Sequence, residues 1–251
     1  MRWTAFVLSS VAMVAVARAE DFCIHSKVTI AKETVETSTV FHSGRVYDFL
    51  SEPDEVTIFD PPGRKFVVLN PARSVKTEVS LNEIEQFSQK MKAEAMARPV
   101  ALLAFLADPK FGETFDESTG ELTLTSAWMD YEVKTVKPRY PEAVALYSDF
   151  TNWQTKLNSL MKAGSLPPFA RLTLNDALAR HQRLPTEVLL TRYAQHPEKR
   201  QMTIRAEHRM QWRLDDSDLT KIDAIAVQLA IARAVGLTEY RASIAELTPS
   251  E

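Results

Sequence analysis

Cys23 is the single cysteine of the 251-residue chain, and its thiol is the first group that could do covalent chemistry. No evident histidine-containing context supports it as a thiolate nucleophile, so a buried small hydrophobe is the commoner meaning. One cysteine also means no intramolecular disulfide, leaving apolar burial to hold the fold. His208 is the second candidate. It falls in the alternating run Met202, Ile204, Ala206, His208, Met210, Trp212, whose other face carries Thr203, Arg205, Glu207, Arg209, Gln211 and Arg213. No second histidine or carboxylate lies at chelating spacing, so a core or cavity-lining histidine is favoured over a metal ligand or base. Asp116, Ser118 and Gly120 resemble the start of a calcium loop, but the bidentate acid twelve positions along is missing and a turn accounts for them. Asp215-Asp216-Ser217-Asp218 suits a helix N-terminus through capping and the helix dipole. Gly-x-Ser-x-Gly, His-Glu-x-x-His and Cys-x-x-Cys are absent, which makes a hydrolase the weakest functional reading and gives no cofactor or metal site.

The elements that must position these groups begin with a strand meander. Ser43-Gly44, Glu52-Pro53-Asp54 and Pro61-Pro62-Gly63 supply turn chemistry. Between them Val46, Tyr47 and Phe49, then Val56, Ile58 and Phe59, then Phe66 to Leu69, favour a pleated surface. Such short connections force antiparallel pairing. Residues 22–42 add one or two strands ahead of it. Ser80-Leu81-Asn82-Glu83 is a capping box opening a helix with Leu81, Ile84, Phe87 and Met91 on one stripe. After Arg98-Pro99, residues 100–106 are apolar on all sides, suiting deep burial or a greasy cavity wall. A hairpin follows, from Phe111–Phe115 through the turn at 116–120 to one strand over 121–133. Pro141 starts a helix striped by Val144, Tyr147, Phe150, Trp153, Leu157 and Leu160 and closed by Gly164. Residues 166–169 are a rigid link, and 172–180 a shorter helix. Leu184–Thr191 and 202–212 form a hairpin turning at His196-Pro197-Glu198-Lys199. The last helix starts at Asp215 and buries Leu219, Ile222, Ile225, Ala226, Leu229 and Ala230. From Leu237 the pattern weakens to a polar tail.

Residues 1–19 carry Arg2, an apolar run and Ala17-Arg18-Ala19, the layout of a cleaved signal peptide. The run is shorter than the roughly 20 apolar residues of a membrane span. A soluble periplasmic or secreted protein is therefore expected, with residues 20–251 as one domain. Without Arg2 and Arg18 the chain holds 28 basic against 33 acidic residues, a net of −5. That balance gives no electrostatic footprint for nucleic acid or anionic membrane surfaces, and no protein partner can be read from it.

Helices inserted between antiparallel hairpins predict an α+β fold with one sheet face covered. The phrases Arg45–Phe49, Val56–Pro61 and Lys65–Pro71, with the late Leu184–Val188 strand, resemble the LolA-like superfamily of periplasmic lipoprotein carriers. The likeness spans about two thirds of the mature chain. It departs in the long helical insert at 138–183, and no counterpart of the carriers' arginine is assigned. The resemblance implies a curved antiparallel sheet, an incomplete β-barrel, whose apolar concave face lies under helices and accepts a lipid or lipoprotein acyl chain. At roughly 0.8 kcal/mol per buried CH₂, a long chain contributes on the order of 10 kcal/mol before ordering costs. Candidate lining residues are Phe59, Trp128, Met202, Ile204, His208, Met210 and Trp212 from the sheet, with Leu103 and Phe105 from the covering helix. The alternative is a non-catalytic interaction or scaffold protein whose sheet is filled by its own helices. A one-residue slip in strand register would turn every lining candidate outward.

Overall fold

The computed structural model describes residues 21–51, 54–162, 165, 167–193 and 202–245. The proposed signal peptide, Gly164 and the His196–Lys199 turn lie outside these residues. The meander comprises β1 (Phe22–Ile30), β2 (Glu33–His42), β3 (Arg45–Leu50), β4 (Glu55–Asp60), β5 (Lys65–Asn70) and β6 (Val75–Ser80). Then come α1 (Leu81–Met96), α2 (Ala101–Ala107), β7 (Gly112–Asp116), β8 (Glu121–Thr125), β9 (Met129–Val136), α3 (Glu142–Met161) and α4 (Phe169–Arg180). β10 (Leu184–Arg192), β11 (Met202–Gln211), α5 (Asp216–Ile231), β12 (Arg233–Ala234) and α6 (Leu237–Ala245) complete the chain.

All twelve strands share one curved, unclosed sheet in the order β12-β6-β5-β4-β3-β2-β1-β11-β10-β9-β8-β7. The fold is α+β with the sheet covered by helices, as the alternation of elements predicts. Every pairing is antiparallel except β12 on β6. β11 closes back on β1, Cys23 opposite Gln211 and Val28 opposite Ala206. The meander and the later strands therefore meet in mid-sheet.

Local chemistry explains the boundaries. Ser80 Oγ accepts from Glu83 N, and the Glu83 carboxylate accepts from Ser80 N, so the capping box is complete. Asp116 Oδ1 accepts from the amides of Ser118 and Thr119, and Gly120 takes φ +74°. The single strand expected over 121–133 is two. Ser126 Oγ accepts from the amides of Trp128 and Met129 while Asp130 Oδ1 accepts from Ser126 N. This side-chain turn competes with the ladder and reverses the chain. The rigid link is shorter than expected as well, because Phe169 already belongs to α4.

The inner face carries the main core. Phe22, Phe41, Phe59 and Phe66 meet Leu81, Ile84, Tyr147, Phe150, Leu174 and Tyr240 there, so α1, α3, α4 and α6 all pack on this side. Three expectations change. α2 is not deeply buried all round: Leu106 and Ala107 are buried, whereas Ala101 and Ala104 face solvent. α5 lies on the opposite face, where Ile222 and Ile225 meet Cys23, Val40, Val56, Ile58 and Leu69. Its buried stripe is Asp218, Ile222, Ile225 and the half-buried Leu229, while Leu219, Ala226 and Ala230 are exposed. Residues from Leu237 are not a polar tail, because α6 buries Tyr240 completely. β12 makes this possible. Arg233 N donates to Ser74 O and Val235 N to Lys76 O, carrying the chain round the β6 edge from the outer to the inner face.

Candidate functional site

Between the inner face and α3, α4 and α6 lies a partly open cavity of about 1310 Å³. That exceeds the roughly 300–1,000 Å³ of ordinary small-molecule pockets. Strand alternation supplies its floor, and residues of one parity line it: Ser26 and Val28, Thr37 and Thr39, Asp48, Glu55, Val188 and Leu190, and Ile204, Ala206 and His208. The roof comes from α3, where Thr151, Gln154, Thr155 and Asn158 share one helical face. Arg171 of α4 and Thr238, Arg241 and Ile244 of α6 complete it. Most of the lining surface is apolar.

The polar groups form two sets. Asp48 is half-buried, accepting from Thr39 Oγ1 at 2.6 Å and from Gln154 Nε2 at 3.4 Å. Burial pushes its carboxyl up to about 6, against the opposing pull of the Thr39 hydrogen bond. Glu55 is also raised, by burial first, with its Tyr240 hydrogen bond opposing and the Asp48 charge adding. Gln154 Oε1 is buried without a partner among the described residues. The second set centres on His208 and Arg171. His208 Nδ1 lies 2.9 Å from Ser26 Oγ, while Nε2 is buried and unpartnered among the described residues. Burial, then the nearby Arg171 charge, lowers His208 to about 4, so the ring is neutral at ordinary pH. Arg171 donates to Asn175 Oδ1 at 3.0 Å and to the Tyr147 hydroxyl at 3.2 Å.

Of the residues named from sequence, Ile204 and His208 line this cavity. Phe59 is sealed in the core against Phe66, with centroids 4.7 Å apart, and close to Phe150 at 6.2 Å. Phe105 meets Phe111 and Trp128, with ring centroids 5.4 and 6.5 Å away. Trp212 packs on Phe22 and Tyr140. Leu103 and Met210 pack against the main core. Met202, at the start of β11, is 38% exposed. These seven are absent from the cavity lining. The aromatic group at the other end of the sheet fills its own space, and the open volume lies beside it.

Sequence reasoning missed Asp48, Glu55, Gln154 and Arg171. Asp48 had a signal, since it shares the inner parity of β3 with Val46. Cys23 lies on the outer face with a histidine near it after all. Its Sγ is 3.8 Å from His25 Nε2 and 3.3 Å from Ser38 Oγ. Burial pushes the thiol up to about 11, so it stays protonated. His25 Nε2 in turn lies 3.0 Å from Gln211 Oε1, and Gln211 Nε2 donates to Asp218 at 2.9 Å. This chain of polar groups ties β1, β2 and β11 to the start of α5. Among the described residues no cluster of three His, Cys, Asp or Glu side chains could hold a metal ion. No helix among them is long and apolar enough to cross a membrane.

No family model matches the chain, and no curated protein matches it.

Proposed function

We propose that this is an exported, non-catalytic protein that binds or carries an amphipathic lipid, with one or more acyl chains in the cavity under α3, α4 and α6. The observation that carries the reading is the cavity itself, about 1310 Å³ of largely apolar space on the sheet's inner face. Two features support it. Val188, Ala206 and Val28 stand in register across β10, β11 and β1, making a continuous apolar floor. A few convergent polar groups, the pattern that fixes ligand orientation, stand beside that floor. The resemblance to periplasmic lipoprotein carriers points the same way, and export rests on the signal-like residues 1–19.

The aromatic end of the sheet, where Phe22, Phe41, Phe59, Phe66 and Phe150 fill the inner face, favours a second reading: a self-filled scaffold. Uptake of the neutral, polarity-sensitive dye Nile red by delipidated protein separates the two. The carrier reading expects a saturable fluorescence rise that Ala206→Trp or Ala242→Trp suppresses, since both side chains line the cavity. A thermal melt of each variant checks that it folds. No uptake by the wild-type protein favours the scaffold.

A further inference from the structure

Arg171 brings a permanent charge to the cavity wall with neutral partners only. Its Nε is held by Asn175 Oδ1 and one terminal nitrogen by the Tyr147 hydroxyl. A guanidinium has five N–H donors, so most remain available, and no carboxylate among the described residues pairs with it. Arg171 is half-buried, and a guanidinium held there by neutral partners alone is set to receive an anion through charge-assisted hydrogen bonds. Beside it, His208 has its Nδ1 engaged by Ser26 and its Nε2 buried without a partner among the described residues. Tyr131 lines the same cavity, and its hydroxyl has no partner among them either. The acidic set is elsewhere: Asp48 on β3 lies three strands from His208 on β11, about 14 Å at the usual strand spacing. The apolar floor of Val28, Val188 and Ala206 adjoins His208 along β11 and its neighbours.

We propose that Arg171, with His208 Nε2 beside it, is a subsite for the anionic head of the amphiphile, a carboxylate or a phosphate, whose chain lies on the Val28–Ala206–Val188 floor. The inference rests on the lipid-binding reading above. Arg suits this task because its planar fork meets two anionic oxygens at once, and the cavity then sorts amphiphiles by head charge as well as by chain.

The test is displacement of Nile red from delipidated protein by palmitate, hexadecyl phosphate and hexadecanol, at mildly alkaline pH. The anions should displace the dye at concentrations on the order of tenfold below hexadecanol, the worth of a charge-assisted pair. The stronger anion names the head. Arg171→Gln should erase that advantage, weakening the anions far more than hexadecanol, with a thermal melt showing that the variant folds; Arg171→Lys should restore part of it. Equal potency of all three ligands on the wild type overturns the anionic subsite while leaving lipid binding intact, as does an Arg171→Gln that weakens all three alike. Failure of the dye and of all three ligands to bind overturns the lipid-binding reading and this inference with it.

Discussion

The Tyr240 hydroxyl donates to Glu55 Oε2 at 3.0 Å across 185 residues of sequence. This bond ties α6, which arrives from the far side of the sheet by way of β12, to β4 on the inner face. Tyr240 is fully buried, so Tyr240→Phe keeps its packing and removes only the donor to a half-buried carboxyl. A loss of about 1–2 kcal/mol is expected from urea denaturation, where the ranges for neutral and charge-assisted hydrogen bonds meet. Hydrogen exchange in α6 should rise by more than in α1.

Asp48 and His208 oppose each other in pH dependence. Asp48 is raised from 3.8 to about 6, so the folded state keeps a proton the unfolded chain has shed. Its contribution is full below about pH 4 and is lost as pH rises through about 6. His208 is lowered from 6.5 to about 4, so its contribution is full above about pH 6.5 and is lost as pH falls through about 4. Across the shared window the two slopes cancel in the wild type. Asp48→Asn should therefore be more stable than wild type by on the order of 2–3 kcal/mol above neutral pH. It should also show a steeper loss on acidification. The new amide can donate to Gln154 Oε1, which lacks a partner among the described residues. His208→Gln should show the reverse slope. Chemical denaturation at a series of pH values reads both. Parallel profiles for all three proteins would contradict the assignment.

Two backbone devices have definite costs. Gly120 takes φ +74°, and a Cβ there would stand 2.9 Å from Thr135 O, so Gly120→Ala should destabilise by more than about 1 kcal/mol. Ser80→Ala removes the capping box at α1 and should cost about 1 kcal/mol. Both are read as a lower denaturant midpoint at unchanged slope.

What the sequence discloses tracks how local the cause is. The Ser80–Glu83 box, the Asp116–Gly120 turn and the parity of β11 depend on neighbours in the chain, and each is present as read. The reversal at Ser126 also has a local cause, but a hydroxyl bonding its own backbone leaves no gap in the run of β-formers. The side of the sheet taken by α5 was hidden, because β4 and β5 are apolar on both faces. Val56, Ile58 and Leu69 serve the outer core while Phe59, Phe66 and Val68 serve the inner one. Continuous apolar runs such as Phe66–Leu69 mark burial on both faces, and they were the available clue. The cavity was least legible. Asp48 on the floor and Arg171 in the roof belong to one cavity only when α4 is placed over the inner face of β3's sheet.

Native mass spectrometry of the protein without residues 1–19, purified without detergent, followed by organic extraction, tests the central claim most directly. A discrete added mass that extracts as an acyl-chain lipid, and that Ala206→Trp abolishes, is the predicted result. A bare mass that stays bare after incubation with palmitate and hexadecyl phosphate would contradict lipid binding.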